Sequence, residues 1–515
     1  MASFGTRHAS ARRVPVLGWG RGALRLGRAP CGWGIAGHRS PRRAWMRGEM
    51  DGHSGILGQS QPEGAPMMPS VTRRTALLAL AALSAAPILH GCETLAPSSP
   101  GSVRPPSARE LTADAAEDSS PSGAYDLTKV LTDDASREAA YGFAVGLLRE
   151  SLAASDGDVL ASSLSALYAL ALAANGASGQ TRSQMEGAFG MTTDALTDYL
   201  AAYSRRLAGK PLASGLDAGG PLNLKSANSV WVRDAEGLQV SGDWLGTCGG
   251  KLGAQAFAAP FDSSTVEDVN SWVSDKTDGM ISRLMDQISP DAMVYLVNAL
   301  AFNDAWDEPF ERDATKDANF TCEDGTVLSV PMMHSREEVY LANDLAEGFV
   351  KRYENGDFAF VGILPREGHT VSDVVASLDG ASLASLALSG VANTVVDVGL
   401  PRFTINWEAG LEEQLKALGV TDAFDADRAD FSPMGTVGDG SLFIGSVIQK
   451  TYVDVSEEGT RAAAATSVGV SGSSAPGSGE PEVKTVILNR PFIYLIVDWQ
   501  YGTPLFAGVA QRVGE

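Results

Sequence analysis

The chain has 515 residues, with 62 acidic against 40 basic side chains and a net charge of −22. That balance disfavours nucleic acid and anionic membrane surfaces as partners and argues against a heparin-type basic patch. Cys31, Cys92, Cys248 and Cys322 are too few for a disulfide framework and show no CxxC or His/Cys metal spacing, so neither metal nor cofactor is expected.

Residues 1–66 are rich in Arg, Gly and Trp, with arginines crowded from Arg7 to Arg47. They read as an extension foreign to the rest, from a misplaced start codon or as a basic disordered arm. Met67 or Met68 is the more sensible start. In residues 67–92, Thr72-Arg73-Arg74-Thr75 resembles a twin-arginine signal head. The apolar run Ala76–Leu89 has signal-peptide length and is too short to span a bilayer. It ends Leu89-His90-Gly91-Cys92, similar to a bacterial lipobox except for His90. Export to the cell surface or beyond is expected, with Cys92 as a lipid attachment point; a plain secretory signal or an uncleaved anchor is the alternative. Residues 93–124, with PSSPGSVRPPS and EDSSPSG, read as a disordered tether.

The folded domain is expected over residues 125–515. Helical periodicity covers Ser136–Ser151, and Ala166–Asn175 is apolar nearly all round, the mark of a buried helix. Ser162 and Ser165 ahead of it have the chemistry of helix N-caps. Thr181–Phe189 and Thr193–Leu207 read as further helices, Leu222–Arg233 as a strand and Asp243–Leu252 as a short helix. Ser263–Ile288 reads as one long amphipathic helix. Val294–Phe302 is a continuous apolar strand, expected when both faces are covered. Asp324-Gly325 signals a hairpin turn, Phe358–Leu364 a buried strand, and Trp407–Leu418 a helix closed by Gly419.

Phe443–Val455 is strand-like and leads into Glu457-Glu458-Gly459, a turn. Thr460-Arg461-Ala462-Ala463-Ala464-Ala465-Thr466 follows, then a polar flexible stretch, and a strand returns near Thr485. In an extended chain Thr460, Ala462, Ala464 and Thr466 share one face, all small and uncharged, while Arg461 faces away. Such a segment can be exposed now and enter a sheet later without burying a charge. On composition alone it is equally an Ala-rich helix or linker.

The stretch EEGTRAAAAT, followed by NRPFIYLIVD and PLFAGVA, resembles the reactive-loop hinge and C-terminal strands of the serpin family. VYLVNALAFNDAWDEPF resembles the family's central-strand signature, with Asn298 eight residues before Trp306. DGTVLSVPMMH, LPRFTINW and WVSDKTDGMI resemble further family segments in the family's order, from about Tyr141 to Val513. The resemblance implies an α+β serpin fold with three β-sheets, about eight or nine helices and an exposed reactive-centre loop. It implies that Glu457 to Thr466 form the loop hinge. Ser162, Ser165 and Asn298 would form the shutter under the sheet, with Gln449 where the family often has His, and Trp306 would stand at the breach where insertion begins. In the family's Ser-Pro-Leu-Ser, Ser163 replaces Pro.

Counting on from Gly459 as in the family puts the scissile bond at Ser473-Ser474, within a window from Val468 to Gly477 that includes Val470. With no Lys or Arg between Arg461 and Lys484, elastase- or subtilisin-like serine proteases are the expected partners, a cysteine protease the alternative. The implied function is irreversible suicide-substrate inhibition by a monomer, not enzymatic turnover. The alternatives are a non-inhibitory binding serpin and a secreted hydrolase. The hydrolase is disfavoured because only His334 and His369 lie in the body, neither beside a nucleophile elbow.

Overall fold

The computed structural model describes residues 107–113, 125–216, 222–289, 291–438, 440–460 and 480–513. These residues contain ten α-helices and four sheets of eight, six, four and two strands. The expectation of three sheets and about eight or nine helices thus gains a two-stranded ribbon, Leu238–Val240 with Gly435–Val437, and at least one helix.

The main sheet consists of β1 (Arg109–Glu110), β2 (Leu224–Arg233), β3 (Gln255–Ala259), β4 (Val294–Phe302), β5 (Asp304–Ala305), β6 (Phe403–Gly410), β7 (Ile444–Val455) and β8 (Gly459–Thr460). Its order is β1-β3-β2-β4-β7-β8-β5, with β6 on the other edge of β7. Most neighbours are antiparallel, but β2 with β3 and β4 with β7 are parallel. Every residue of β4 is buried, because helices cover both sheet faces. On the inner face lies α1 (Ser163–Asn175), buried from Ser163 to Ala174. On the outer face, α2 (Ser263–Lys276) packs Val269 and Val273 into a smaller core with Trp231, Phe257 and Tyr295.

The six-stranded sheet is antiparallel throughout and carries the C-terminal strands Phe492–Asp498 and Thr503–Ala510 at its centre. The strand pair Lys316–Thr321 and Val327–Glu337 turns at Asp324-Gly325, where Gly325 has φ +81°, a conformation glycine adopts without a Cβ clash. Cys248 and Cys322 are both buried thiols, not joined to each other.

Three expectations are corrected. The helix over Ser263–Ile288 stops at Lys276; Asp278 (φ +51°) and Gly279 (φ +75°) turn the chain, and the apolar residues beyond pack as a loop. Trp407 belongs to a strand, with the helix reduced to Glu412–Ala417. Phe403, Ile405 and Trp407 are buried in alternation with exposed Thr404, Asn406 and Glu408, a period of two. The stretch 93–124 is not wholly a tether: Arg109 and Glu110 pair with Ala258 and Phe257. Leu111 N–H donates to the Ala256 carbonyl, and the Thr112 hydroxyl accepts from Ala256 N–H. A four-residue RELT island between Pro/Ser-rich runs thereby satisfies the backbone edge of β3.

Candidate functional site

The site lies where β7 turns back as β8. Ser456 N–H donates to the Gly459 carbonyl across the turn, and Val455 pairs with Thr460. Gly459 has φ +154°, outside the usual range of residues with a side chain. Across the turn, Gly459 and Thr460 pair with Ala305 and Asp304 of β5. Trp306 N–H and Phe310 N–H donate to the carbonyls of Glu458 and Glu457, both at 2.9 Å.

Side chains hold the same turn. The buried Glu457 carboxylate accepts from Arg402 and, at 2.9 Å, from the Thr315 hydroxyl. Burial alone would push its pKa up; the Arg402 and Thr315 hydrogen bonds outweigh that and hold it below the usual carboxylate range. Glu458 pairs with Arg312 at the surface. Trp306 is fully buried, donates its indole N–H to the Ser456 carbonyl at 2.8 Å and stacks on Tyr353 at 4.3 Å. The Tyr353 hydroxyl lies 2.6 Å from Thr460 Oγ1, so the Thr460 side chain is anchored in the core.

Below this turn the main sheet is split. Pairing of β7 with β4 runs from Ile444–Val294 to Lys450–Ala299 and stops there. Among the described residues, Leu300, Ala301 and Phe302 therefore have no strand partner on the β7 side. Leu300, Ala301, Phe302 and Tyr452 line a gap there, together with Met280 and Ile281.

At the lower end of the gap, Gln449 and Asn298 are paired neighbours. The Gln449 side-chain amide exchanges two 2.8 Å hydrogen bonds with the backbone N–H and C=O of Ser162. Ser162 Oγ donates to the Leu505 carbonyl and accepts from Ser165 N–H, which makes it the N-cap of α1. Ser165 is not a cap: its hydroxyl donates to Asn298 Oδ1, whose amide donates to Asn228. Ser163 Oγ bonds the Pro504 carbonyl. The buried polar group thus ties α1 to β4 and β7 and to the six-stranded sheet.

Of the residues singled out from sequence, the structure brings together Glu457, Glu458, Gly459, Thr460 and Trp306 in one cluster, and Ser162, Ser165, Asn298 and Gln449 in another. Arg461, Ala462 to Ala465, Thr466, Val468, Val470, Ser473, Ser474 and Cys92 lie outside the described residues. Sequence reasoning missed Asn228, Thr451, Tyr353, Arg402 and Asp304. Asn228 stands between Ser226 and Ser229 in a strand of mixed polarity, so the sequence did not mark it out. Thr451, whose hydroxyl donates to the Leu160 carbonyl at 2.6 Å, and Arg402 sit in ordinary alternating patterns. His334 has its Nδ1 3.3 Å from the Val398 carbonyl, within the four-stranded sheet. Among the described residues no His/Cys/Asp/Glu group has metal-ligating geometry.

The sequence model of the family Serpin (serine protease inhibitor) matches residues 138–512. A protein named serine protease inhibitor from Cyanea capillata is 32% identical over 359 residues, covering 68% of this chain and 91% of its own length. An uncharacterised serpin-like protein of Thermococcus kodakarensis is 30% identical, covering 75% of this chain and 88% of its own. Among solved structures, the thermophilic serpin tengpin in its native state superposes with a TM-score of 0.68 at 34% identity, covering 79% of this chain and all of that one. The fold and these likenesses agree: the chain belongs to the serpin family.

Proposed function

We propose that this serpin inhibits serine proteases irreversibly, through cleavage of the loop after Thr460 and insertion of its N-terminal part into the gap between β4 and β7. The observation that carries the reading is register. Thr460 pairs with Asp304 on one side and with Val455 on the other. A strand continuing antiparallel to both would set Ala462 between Phe302 and Val453, Ala464 between Leu300 and Thr451, and Thr466 between Asn298 and Gln449. The small, uncharged residues would all face inward, as Thr460 already does, and Arg461 would face out. Insertion would therefore bury no charge, and each new backbone hydrogen bond would contribute roughly 0.5–1.5 kcal/mol.

A trypsin-like target, whose pocket wants a cation, is disfavoured by the absence of Lys and Arg from 462 to 483. Small and β-branched residues at Val468, Val470 and Ser473 suit elastase- or subtilisin-like enzymes. Export, and anchoring through an acylated Cys92, belong to the same proposal and rest on the sequence of residues 67–92.

The test is to mix the chain with pancreatic elastase, subtilisin and trypsin and resolve the products on denaturing gels with mass spectrometry. An SDS-resistant complex with one of the first two is expected. The released C-terminal peptide should begin between residues 469 and 478, fixing the scissile bond. Clean cleavage without a complex for every protease would overturn the inhibitory reading for this panel and leave a non-inhibitory serpin.

A further inference from the structure

A buried lysine lies behind the turn that joins β7 to β8. Lys351 belongs to the strand Ala346–Arg352 of the six-stranded sheet, and its side chain is 2% exposed. Its Nζ donates to Glu337 Oε1 at 2.8 Å, and the same carboxylate oxygen accepts from the Ser335 hydroxyl at 2.6 Å. The ammonium stands over two rings, 4.3 Å from the centre of Phe310 and 5.6 Å from that of Trp306. Those rings meet edge to face at 6.1 Å. Across the ladder Lys351 pairs with Phe360, whose ring also meets Trp306 edge to face at 6.1 Å. Next to it in the strand, the Arg352 carbonyl accepts from Asp307 N–H. The same Trp306 and Phe310 give their backbone N–H groups to the Glu458 and Glu457 carbonyls, and the Trp306 indole N–H goes to Ser456. One cation is therefore in contact with both residues that hold the turn.

A lysine is an expensive way to fill this space. A buried ion pair offers little net stability over apolar residues of similar volume, and a methionine would pack against the two rings as well. What the ammonium supplies and a thioether does not is direction. A ring attracts a cation over its face, and Glu337 fixes where that cation stands. The pair thereby selects one orientation of Phe310 and Trp306, and with it one position for the N–H groups that set the turn.

We propose that Lys351, held by Glu337, is a positioning residue for protease trapping: it orients Trp306 and Phe310 so that the chain leaves the turn at Thr460 in register for insertion. The proposal rests on the loop-insertion reading above. On that reading the cut loop must extend its strand from Thr460 before hydrolysis frees the protease, so a turn with a less defined position loses that race more often. The cut itself is made by the protease on the loop, and its rate should not depend on Lys351.

The experiment compares the full chain with the double variant Lys351→Met/Glu337→Gln, which removes both charges together and leaves the Ser335 hydroxyl an acceptor. Melting temperature, the rate of loop cleavage by subtilisin, and the ratio of SDS-resistant complex to cleaved, untrapped chain are read on the same preparations. The variant should melt within a few degrees of the natural chain and be cut at the same rate. Its trapped-to-untrapped ratio should fall roughly threefold to tenfold, within what two cation–ring attractions can supply. Hydrogen exchange at the Trp306 and Phe310 amides should quicken. An unchanged ratio, or unaltered exchange at both amides, would overturn the proposal. A variant that melts far below the natural chain would overturn it too, since the pair would then be a support of the fold. If the natural chain forms no complex, the nicked chains are followed by their gain in heat resistance. A slower gain in the variant supports the proposal, and equal rates overturn the role of Lys351 alone. No gain in the natural chain overturns loop insertion, and this proposal with it.

Discussion

At the scale of single residues, the turn after β7 is fixed by the side chains of Thr460 and Glu457. Thr460 is fully buried, its hydroxyl held by Tyr353. Thr460→Arg would need a guanidinium in a space that holds a threonine, so on the proposed reading the hinge would be expelled and insertion would lose its starting point. Expected on gels is a chain that the target protease cleaves completely without being trapped; persistence of the covalent complex would contradict this. Glu457 anchors the same turn as a carboxylate. Its pKa is held down, so its anchoring contribution is present at neutral pH and is lost only as pH falls through and below the ordinary carboxylate range. The turn therefore stays anchored at neutral pH and above. Glu457→Gln should lower stability by roughly 1–3 kcal/mol at pH 7, the cost of disturbing a buried charge-assisted hydrogen-bond set, and by progressively less toward pH 3. Urea titrations at the two pH values measure the difference.

At the scale of elements, the sequence was most legible where burial is uniform. Val294–Phe302 and the helix Thr193–Leu207 have the bounds that composition and periodicity indicate, because one is apolar throughout and the other strongly two-faced. It was least legible where a short segment answers to a distant partner. Trp407 sits in a mixed run that fits helix and strand periods alike, and only its pairing with Thr451 makes it a strand. Arg109–Glu110 has no local signal at all, since two residues become a strand only by completing the open edge of β3. The site divides along the same line. Motif residues such as Asn298 and Trp306 were legible by resemblance. Arg402, Tyr353 and Asn228 were not, because each reaches the cluster from an element remote in sequence. Gln449 shows what such a remote contact is worth. It replaces an imidazole expected from the resemblance, yet satisfies both backbone groups of Ser162 with one amide. Gln449→Ala should leave the Ser162 N–H unsatisfied in a buried site, costing roughly 1–3 kcal/mol, while the Ser162 carbonyl keeps the Ala166 N–H. The denaturation midpoint should fall accordingly, whereas Gln449→His, with one suitable ring nitrogen, should recover part of the loss.

At the scale of the whole molecule, the main sheet is left with a parallel pair, β4 with β7, among mostly antiparallel neighbours, and that pair is complete only up to Ala299 and Lys450. A strand running down from Thr460 is antiparallel to both sides. Its entry would replace one parallel ladder by two antiparallel ones, which are slightly more stable per residue, and would supply partners for Leu300, Ala301 and Phe302. The inner groups it meets are already hydrogen-bonded through Ser162, Ser165, Asn228 and Asn298, so the Gln449–Asn298 neighbours can part without orphaning every polar atom beneath them. On the proposed reading, the loop-out fold is then the less stable arrangement of the same chain. Cutting the loop once, with any protease that cleaves between residues 468 and 477, should therefore raise thermal and urea resistance even though a peptide bond has been lost. Scanning calorimetry before and after the nick reads this directly. A nicked chain that melts at or below the temperature of the intact one would mean that the gap between β4 and β7 does not accept the loop, whatever complexes form with proteases.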